Sequence, residues 1–395
     1  MGMAGRVLRW SLLLVLAGLA GAVRLSAAPT WFPANEITPG MTGIGKTVIV
    51  GTKVSQFKIK VLGVLRNAGP AGDLVLFRAS GAAIDPIGGL ASGMSGSPIY
   101  IGGRLAGAFS YSFQFADPTV GLFTPIEDMF KVFPGKGKAG GARPGLYAVS
   151  PFSLDGHLIR NVQLETCRTG GSMTPCRSRA SGTSPADTAV AVPAATPVFV
   201  SGLGDAAIEE IAGVLKPMGL VPMAGPGMTN LPPNLPLEPG SAIGVGLMQG
   251  DVSTFSIGTL TYRDGNRILA FGHPFTEMGK TGFVLTNATI LQTVRAMNHN
   301  LKVGAAGAPV GIVSEDRPAA VGGTIGVLPR MFGVQVKVED ADTGANRDFR
   351  FQVVGDKDLA PLLVALGTRG TLERALNRSG EGTAEVRIRL RGRGL

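Results

Sequence analysis

The sequence predicts a mainly β protein, and three observations carry that prediction. Short apolar runs rich in Val, Ile and Thr recur along the chain, and Gly, Pro, Asn or Asp lie between them. The 59 glycines among 395 residues are about twice the usual ~7%, and 27 prolines add further breaks. The chain is 45% hydrophobic and only 16% charged, so it can bury two or three domain cores and is not a disordered protein.

The net charge of +10 comes from basic residues that are scattered along the chain. Several arginines cluster only in residues 387–393. Nucleic-acid-binding domains concentrate Lys and Arg on one stretch or face, so this distribution argues against a nucleic-acid partner. We expect instead that the charge attracts the protein to an anionic envelope surface.

Residues 1–28 have the pattern of a secretory signal peptide. Arg6 and Arg9 precede an uncharged run, and small residues follow it. The run has 14 residues, at positions 10–23, and is shorter than the ~20 needed to span a bilayer. Cleavage after residue 22 and cleavage after residue 28 both fit the small-residue pattern. We therefore expect export to the periplasm, to the cell envelope or to the medium.

Residues 29–134 are predicted to form the first β lobe. Their short apolar or alternating runs are separated by turn residues, and they lie at positions 48–50, 57–65, 74–77, 99–100 and 105–113. Pro125 followed by Glu127 and Asp128 predicts a short helix, because proline fits the first turn and acids favour the helix N-terminus. About six short strands that close on themselves make a small barrel.

The turn Gly-Met-Ser-Gly-Ser-Pro at residues 93–98 is the candidate site for a nucleophile. A serine attacks a carbonyl when its hydroxyl projects from a tight bend beside free N–H groups. Gly93 permits the dihedral angles that aim the N–H groups of Gly93 and Ser95 to one side, which predicts an oxyanion hole. Because Met94, the residue before Ser95, carries no charge, no ion pair from that position can shape this hole, and glycine geometry must shape it. The alternative is an ordinary glycine-serine hairpin turn.

Residues 135–236 are predicted to be a linker with a hairpin. Residues 147–164 alternate enough for that hairpin, and His157 falls at its turn, which favours a surface role. Cys167 and Cys176 are the only cysteines, and in an exported protein a short-loop disulfide is their natural interpretation. Residues 205–215 predict a short amphipathic helix.

Residues 237–334 are predicted to form a second β lobe. Residues 268–271 are predicted to form a buried strand, and His273 lies in the turn that follows it. Pro274 restricts His273 to extended dihedral angles, and Gly272 leaves the imidazole ring approachable. Among the three histidines of the chain, this one is placed for general-base work. A structural Gly-His-Pro turn is the alternative.

Two strings of sequence resemble the sporulation stage IV protein B (SpoIVB) peptidase family. The first string is Gly-Met-Ser-Gly-Ser-Pro-Ile at residues 93–99, and Gly-Gly-Arg-Leu-Ala-Gly-Ala at 102–108 and Asp-Pro-Thr at 117–119 follow it. The second string is Gly-Thr-Leu-Thr-Tyr at residues 258–262, and Gly-His at 272–273 follows it. The resemblance implies a two-lobed, chymotrypsin-like β-barrel serine peptidase. It also implies that Ser95 is the nucleophile and that His273 is the base.

The chain departs from that family in two respects. In the family the histidine half precedes the serine half, whereas here Ser95 comes before His273. Ser-His-acid sites occur in several chain orders, so this exchange is compatible with catalysis. The family's aspartate lies some fifteen residues before its serine, where this chain has Ser80. Asp85 is the nearest acid, and Asp316 is the rival on the histidine side.

Residues 335–395 are predicted to form a small C-terminal α+β module. Residues 334–338 and 349–354 alternate as strands, residues 358–377 have helical composition, and residues 384–390 alternate again. Because the sequence ends soon after this last run, either the run is an edge strand or the module is incomplete.

These observations favour an exported serine endopeptidase that cuts a protein or peptide substrate. The alternative is a non-catalytic envelope protein that keeps the two-lobed scaffold for binding, since the chain order is exchanged and the expected acid is missing. No phosphate loop, zinc signature or nucleotide fold is present in the sequence, so we expect no cofactor and no metal.

Overall fold

The structure is a computed structural model that describes residues 30–69, 72–113, 116–133, 145–165, 186–296, 300–377, 383 and 385–389. The predicted signal peptide and the predicted Cys167–Cys176 disulfide lie outside the described residues. The described residues from Trp31 onward belong to one compact unit.

The first part of the fold is a closed barrel, here called the serine barrel. Its segment of the chain contains β1 (Thr42–Val48), β2 (Val54–Leu65), β3 (Leu74–Ser80), β4 (Ala91–Ser92), β5 (Pro98–Ile101), β6 (Arg104–Phe113), β7 (Val120–Pro125) and α1 (Ile126–Phe130). Six strands pair antiparallel in the order β5-β1-β2-β3-β7-β6, and pairing of β5 with β6 closes the barrel. Alternation in β2 buries Phe57 and Ile59 and exposes Lys58, as the two-residue period of a strand requires.

The segment between the barrels extends both of their sheets. It contains β8 (Gly145–Leu154), β9 (His157–Leu164), β10 (Thr188–Pro193), β11 (Thr196–Ser201), α2 (Asp205–Leu215) and β12 (Leu220–Ala224). β8 and β9 form the predicted hairpin, with His157 exposed beside its turn, and β10 joins this hairpin to β6. β11 and β12 join the second sheet through β14 (Ser253–Asp264).

The second barrel, here called the histidine barrel, has the same six-stranded closure. Its strands are β13 (Ala242–Gly250), β14, β15 (Arg267–Ala270), β16 (Gly279–Val294), β17 (Asn300–Arg317) and β18 (Ala320–Ile325). They pair antiparallel in the order β14-β15-β18-β17-β16-β13, and pairing of β13 with β14 closes the circle.

The C-terminal α+β element consists of β19 (Met331–Glu339), β20 (Asn346–Val354) and α3 (Ala360–Leu376). It shares a sheet with the histidine barrel, because β20 pairs with β13. The strand predicted at residues 384–390 is wrong over its described part, since residues 385–389 have no regular structure. Val386 and Ile388 alternate with arginines as in a strand, but both are exposed and no strand in the described part of the chain pairs with them.

The two barrels pack through a shared apolar cluster. Ile126 and Met129 of the serine-barrel side are buried together with Leu269 of the histidine barrel, and the Phe130 and Tyr262 rings meet edge to face at 5.0 Å. The prediction of a mainly β, two-lobed, chymotrypsin-like fold with a small C-terminal α+β element is confirmed. No helix in the described part of the chain combines the length and apolar character that a membrane crossing needs.

Candidate active site

The serine turn, residues 93–98, lies between β4 and β5. Gly93 and Gly96 have φ values of 87° and 90°, in the left-handed region that favours glycine. The N–H groups of Met94 and Gly96 donate to backbone carbonyls, but within the described residues the N–H groups of Gly93 and Ser95 have no partner. The two donors named as an oxyanion hole are therefore the two that the turn leaves unpaired.

Met94 anchors this turn from the interior of the serine barrel. Its side chain is fully buried, and its thioether accepts a hydrogen bond from the Ala91 N–H at 3.2 Å. The Ser97 hydroxyl donates to the Met94 carbonyl at 2.6 Å. The turn is thus held by bonds of its own and by glycine dihedral angles, without an ion pair at position 94.

Ser95 is buried, and its hydroxyl oxygen has no hydrogen-bond partner among the described residues. Its backbone carbonyl accepts a hydrogen bond from the N–H of Thr259, at 2.9 Å, in the histidine barrel. Because buried polar atoms are nearly always paired, an unpaired serine hydroxyl at a turn between two barrels requires a functional or structural reason.

His273 follows β15 at a strained turn. Phe271 has a φ of 72°, which is rare for an aromatic residue, and the Gly272 carbonyl accepts a hydrogen bond from the Thr124 hydroxyl at 2.7 Å. The Nδ1 atom of His273 lies 2.7 Å from the Pro274 carbonyl oxygen. Since a carbonyl can only accept, Nδ1 carries the proton and Nε2 keeps its lone pair. Nε2 is buried and has no partner within the described chain.

The serine turn is in direct contact with the turn at residues 271–274, here called the histidine turn. A Cβ atom added at Gly96 would collide with the Thr259 carbonyl oxygen and with the backbone nitrogen of Phe271, two residues before His273. The serine turn therefore lies against the segment that leads to His273, at the junction of the barrels. Within the described residues no hydrogen bond joins Ser95 Oγ to His273 Nε2. Catalytic hydrogen bonds of this kind are often long without substrate.

Burial controls the protonation of this imidazole. It lowers the pKa of His273 from 6.5 to about 4, and the bond to the Pro274 carbonyl acts weakly in the opposite direction. The neutral base is therefore present at neutral pH.

We expect the reaction of Ser95 with a fluorophosphonate to keep its rate from pH 7 down to about pH 5 and to fall with a midpoint near pH 4. The sign follows from burial, which disfavours the imidazolium that forms as the pH falls. Labelling rates measured at a fixed probe concentration between pH 3.5 and pH 8 give the midpoint of this decrease. A midpoint between pH 6 and pH 7 would show instead an imidazole in contact with solvent.

Of the two candidate third residues, neither makes a hydrogen bond with His273 in the described structure. Asp85 is exposed in a one-turn 3-10 helix, Asp85–Ile87, and its carboxylate accepts from the Gly81 N–H at 2.9 Å. Ser80, at the family's aspartate position, is exposed at the end of β3. The serine side therefore offers His273 no bonded carboxylate.

Asp316 is fully buried next to the segment that follows His273. Its carboxylate accepts hydrogen bonds from the Phe275 N–H at 2.8 Å, from the Thr276 N–H at 2.6 Å and from the Thr276 hydroxyl at 2.7 Å. Burial raises the pKa of Asp316, and these bonds lower it. Asp316 thus fixes the chain beyond Pro274, whose carbonyl holds the imidazole.

Lys302 is a residue at this site that the sequence analysis missed. It is fully buried, its ammonium group donates to the Thr47 hydroxyl at 2.6 Å, and burial lowers its pKa to about 7. A Cβ atom added at Gly93 would come within 3.2 Å of the Lys302 Cβ, so this lysine packs behind the serine turn. The sequence contained one indication of a buried lysine, because Lys302 is the only Asp, Glu, Lys or Arg in residues 296–314.

Comparison with known proteins gives a family match over the part of the chain that includes Ser95. The family model described as SpoIVB peptidase S55 matches residues 29–130, which include the serine barrel, α1 and Ser95. A search of curated proteins and a search of solved structures found no match. The match over residues 29–130 supports the assignment of this part of the chain to the SpoIVB-type serine peptidase family.

Proposed function

We propose that the chain is an exported serine endopeptidase in which Ser95 is the nucleophile and His273 is the general base. One observation carries this proposal: a buried hydroxyl and a buried imidazole nitrogen, both without a partner among the described residues, lie on turns that touch each other. Two N–H groups that the described residues also leave unpaired belong to the same serine turn. Nucleophile, base and oxyanion donors are the parts that acyl transfer needs.

The reaction begins when Ser95 Oγ attacks the substrate carbonyl carbon and His273 Nε2 takes the hydroxyl proton. The N–H groups of Gly93 and Ser95 then hold the oxyanion, and such a donor typically removes about 3 to 4 kcal/mol of the barrier. The Pro274 carbonyl keeps the proton on Nδ1 and stabilises the imidazolium as it forms. In this arrangement a backbone carbonyl takes the orienting role that a carboxylate has in a Ser-His-Asp site.

The substrate class follows from the peptidase family, which acts on proteins. Export is supported by the signal pattern of residues 1–28, and the net charge of +10 supports association with an anionic envelope surface.

A fluorophosphonate probe tests the proposal, because it reacts only with an activated serine. We expect peptide mapping of the labelled full chain to find the phosphonate on Ser95, and we expect Ser95→Ala and His273→Ala to abolish labelling. Ser80→Ala is the matched control, because it removes an exposed serine hydroxyl at the end of β3 and leaves the serine turn unchanged. Absence of label, or label on another serine, would contradict the proposal.

A non-catalytic binding protein is the second candidate. The observation that favours it is that no carboxylate bonds His273 and no hydrogen bond joins His273 to Ser95 in the described residues. A binding protein of this kind would leave Ser95 unlabelled while the fold stays intact, so the same experiment separates the two candidates.

A further inference from the structure

A buried lysine without an acidic partner lies behind the serine turn. Lys302 is fully buried, and within the described residues its neighbours from β1, from the serine turn and from β16 are Thr47, Gly93 and Thr293, none of which carries a charge. Burial alone lowers its pKa, to about 7. Because a buried charge without an ion-pair partner costs stability, Lys302 requires an explanation other than stabilisation of the fold.

Backbone pairing places Lys302 beside the serine turn. The first two residues of β17 pair in parallel with β4, and β4 leads directly into Gly93. The Asn300 side-chain amide also donates to the Leu90 carbonyl at 3.2 Å. Lys302 is the next residue of β17 after this pairing, so its position relative to Gly93 is fixed by the contact between the two barrels.

The side chain of Lys302 packs against Gly93. A Cβ atom added at Gly93 would lie 3.2 Å from Lys302 Cβ and 3.6 Å from Lys302 Cδ. The ammonium group is two bonds beyond this Cδ atom, and it donates to the Thr47 hydroxyl at 2.6 Å. Gly93 supplies one of the two N–H groups of the proposed oxyanion hole. The positive charge therefore lies directly behind that hole.

A positive charge in this place acts on an oxyanion without touching it. Catalysis of acyl transfer depends on fixed charges and dipoles that stabilise the negative charge of the transition state. Water and salt screen a fully buried charge such as that of Lys302 only weakly. At an effective dielectric constant of about 20, two unit charges about 10 Å apart interact strongly enough to change a rate by about 10-fold.

We propose that the ammonium group of Lys302 is an electrostatic component of the oxyanion hole, and that the protonated form of this lysine accelerates attack by Ser95. The inference rests on the proposed function, because an oxyanion forms only when Ser95 attacks a substrate. Thr47 keeps the ammonium group in place as its hydrogen-bond acceptor.

The rate at which a fluorophosphonate labels Ser95 in the full chain tests this inference. We expect the wild-type rate to decrease by about 10-fold between pH 6 and pH 9, with a midpoint near pH 7, because Lys302 loses its charge over this range. Between pH 7 and pH 5 the same effect changes the rate by about twofold at most. It is thus separate from the decrease near pH 4 that belongs to His273.

Lys302→Met keeps an unbranched side chain and removes the charge. We expect this variant to label about 10-fold more slowly than the wild type at pH 6, with a rate that no longer changes between pH 6 and pH 9. Its stability in urea is expected to equal or exceed that of the wild type, since an unpaired buried charge is gone. A merely structural lysine would give a less stable variant with an unchanged pH profile.

Thr47→Val removes the acceptor of the ammonium group and is expected to move the midpoint below pH 7, because the charged form loses its hydrogen bond. Thr254→Val is the matched control. It makes the same substitution at a buried threonine whose hydroxyl has no partner among the described residues, so the rate and the midpoint are expected to stay as in the wild type. Far-UV circular dichroism checks that each variant folds.

A wild type that labels on Ser95 at one rate from pH 6 to pH 9 would overturn this inference and leave the proposed function intact. A folded Lys302→Met variant that keeps the decrease would do the same. If Lys302→Met does not fold, the wild-type profile and the midpoint of Thr47→Val decide, and an unchanged midpoint in Thr47→Val counts against Lys302. A folded wild type that labels at no pH would contradict the proposed function, and this inference with it.

Discussion

Ser95→Ala is expected to lower the rate of casein hydrolysis by at least about 10³-fold, and His273→Ala by a similar factor. The double variant is expected to lose little more than either single variant. The reason is that the hydroxyl and the imidazole act as one unit, since the nucleophile forms only when a proton passes from Ser95 to His273. Initial rates measured with the four purified proteins give the comparison.

Stability measurements distinguish a loss of catalytic activity from a loss of folded protein. Ser95 Oγ makes no hydrogen bond in the described chain, so Ser95→Ala is expected to leave the melting temperature nearly unchanged. His157→Ala serves as the histidine control, because His157 is exposed at the β8–β9 turn, and it is expected to keep full activity. Losses that multiply in the double variant would indicate two independent roles and would contradict a shared proton transfer.

The backbone geometry of the serine turn could be predicted from the sequence. Local backbone geometry decides it: Gly93 and Gly96 adopt the positive φ values that only glycine tolerates easily, and their spacing around Ser95 is visible in the sequence. The β-barrel architecture was predictable for a similar reason, because the two-residue alternation of β2 appears directly in the pattern of Phe57, Lys58 and Ile59.

The partners of the imidazole were not predictable in this way. The Pro274 carbonyl carries no chemical signature in the sequence, because every residue has one, and its use depends on the turn that Phe271 begins with a positive φ. Asp85 is near Ser95 in sequence, yet its carboxylate caps the Gly81 N–H on the surface. Distance along the chain says little about distance across two barrels.

The exchanged chain order has a structural explanation in the contact between the barrels. β4, which precedes the serine turn, pairs in parallel with β17 of the histidine barrel, and the Ser95 carbonyl is bonded to Thr259 of β14. These are long-range backbone contacts, so the serine turn meets the histidine barrel whichever barrel comes first along the chain. This supports the view that a Ser-His site depends on geometry and not on order.

Asp316→Ala is expected to cause the largest loss of stability among the site variants, about 3 to 5 kcal/mol. It would leave the Phe275 N–H, the Thr276 N–H and the Thr276 hydroxyl without the acceptor that now holds all three in a buried place. An unpaired buried donor typically costs about 1 to 3 kcal/mol, and partial relaxation of the loop reduces the sum. Urea denaturation monitored by fluorescence measures the free energy of unfolding.

Asp316 is a positioning residue in this interpretation, because it acts on His273 through the chain that follows Pro274. Asp316→Asn keeps one acceptor oxygen but turns an amide NH₂ toward backbone donors, so its kcat is expected to fall by about 10- to 100-fold at a temperature where the variant is folded, with little change in KM. A merely structural role would leave kcat per folded molecule unchanged.

Asp85→Asn is the matched control, because the exposed Asp85 carboxylate accepts a hydrogen bond only from the Gly81 N–H within the described residues. Both the stability and the kcat of this variant are expected to stay near wild type. If Asp85→Asn abolished hydrolysis while Asp316→Asn did not, the acid of this site would be Asp85, and the segment around Pro274 would have to move for His273 to reach it.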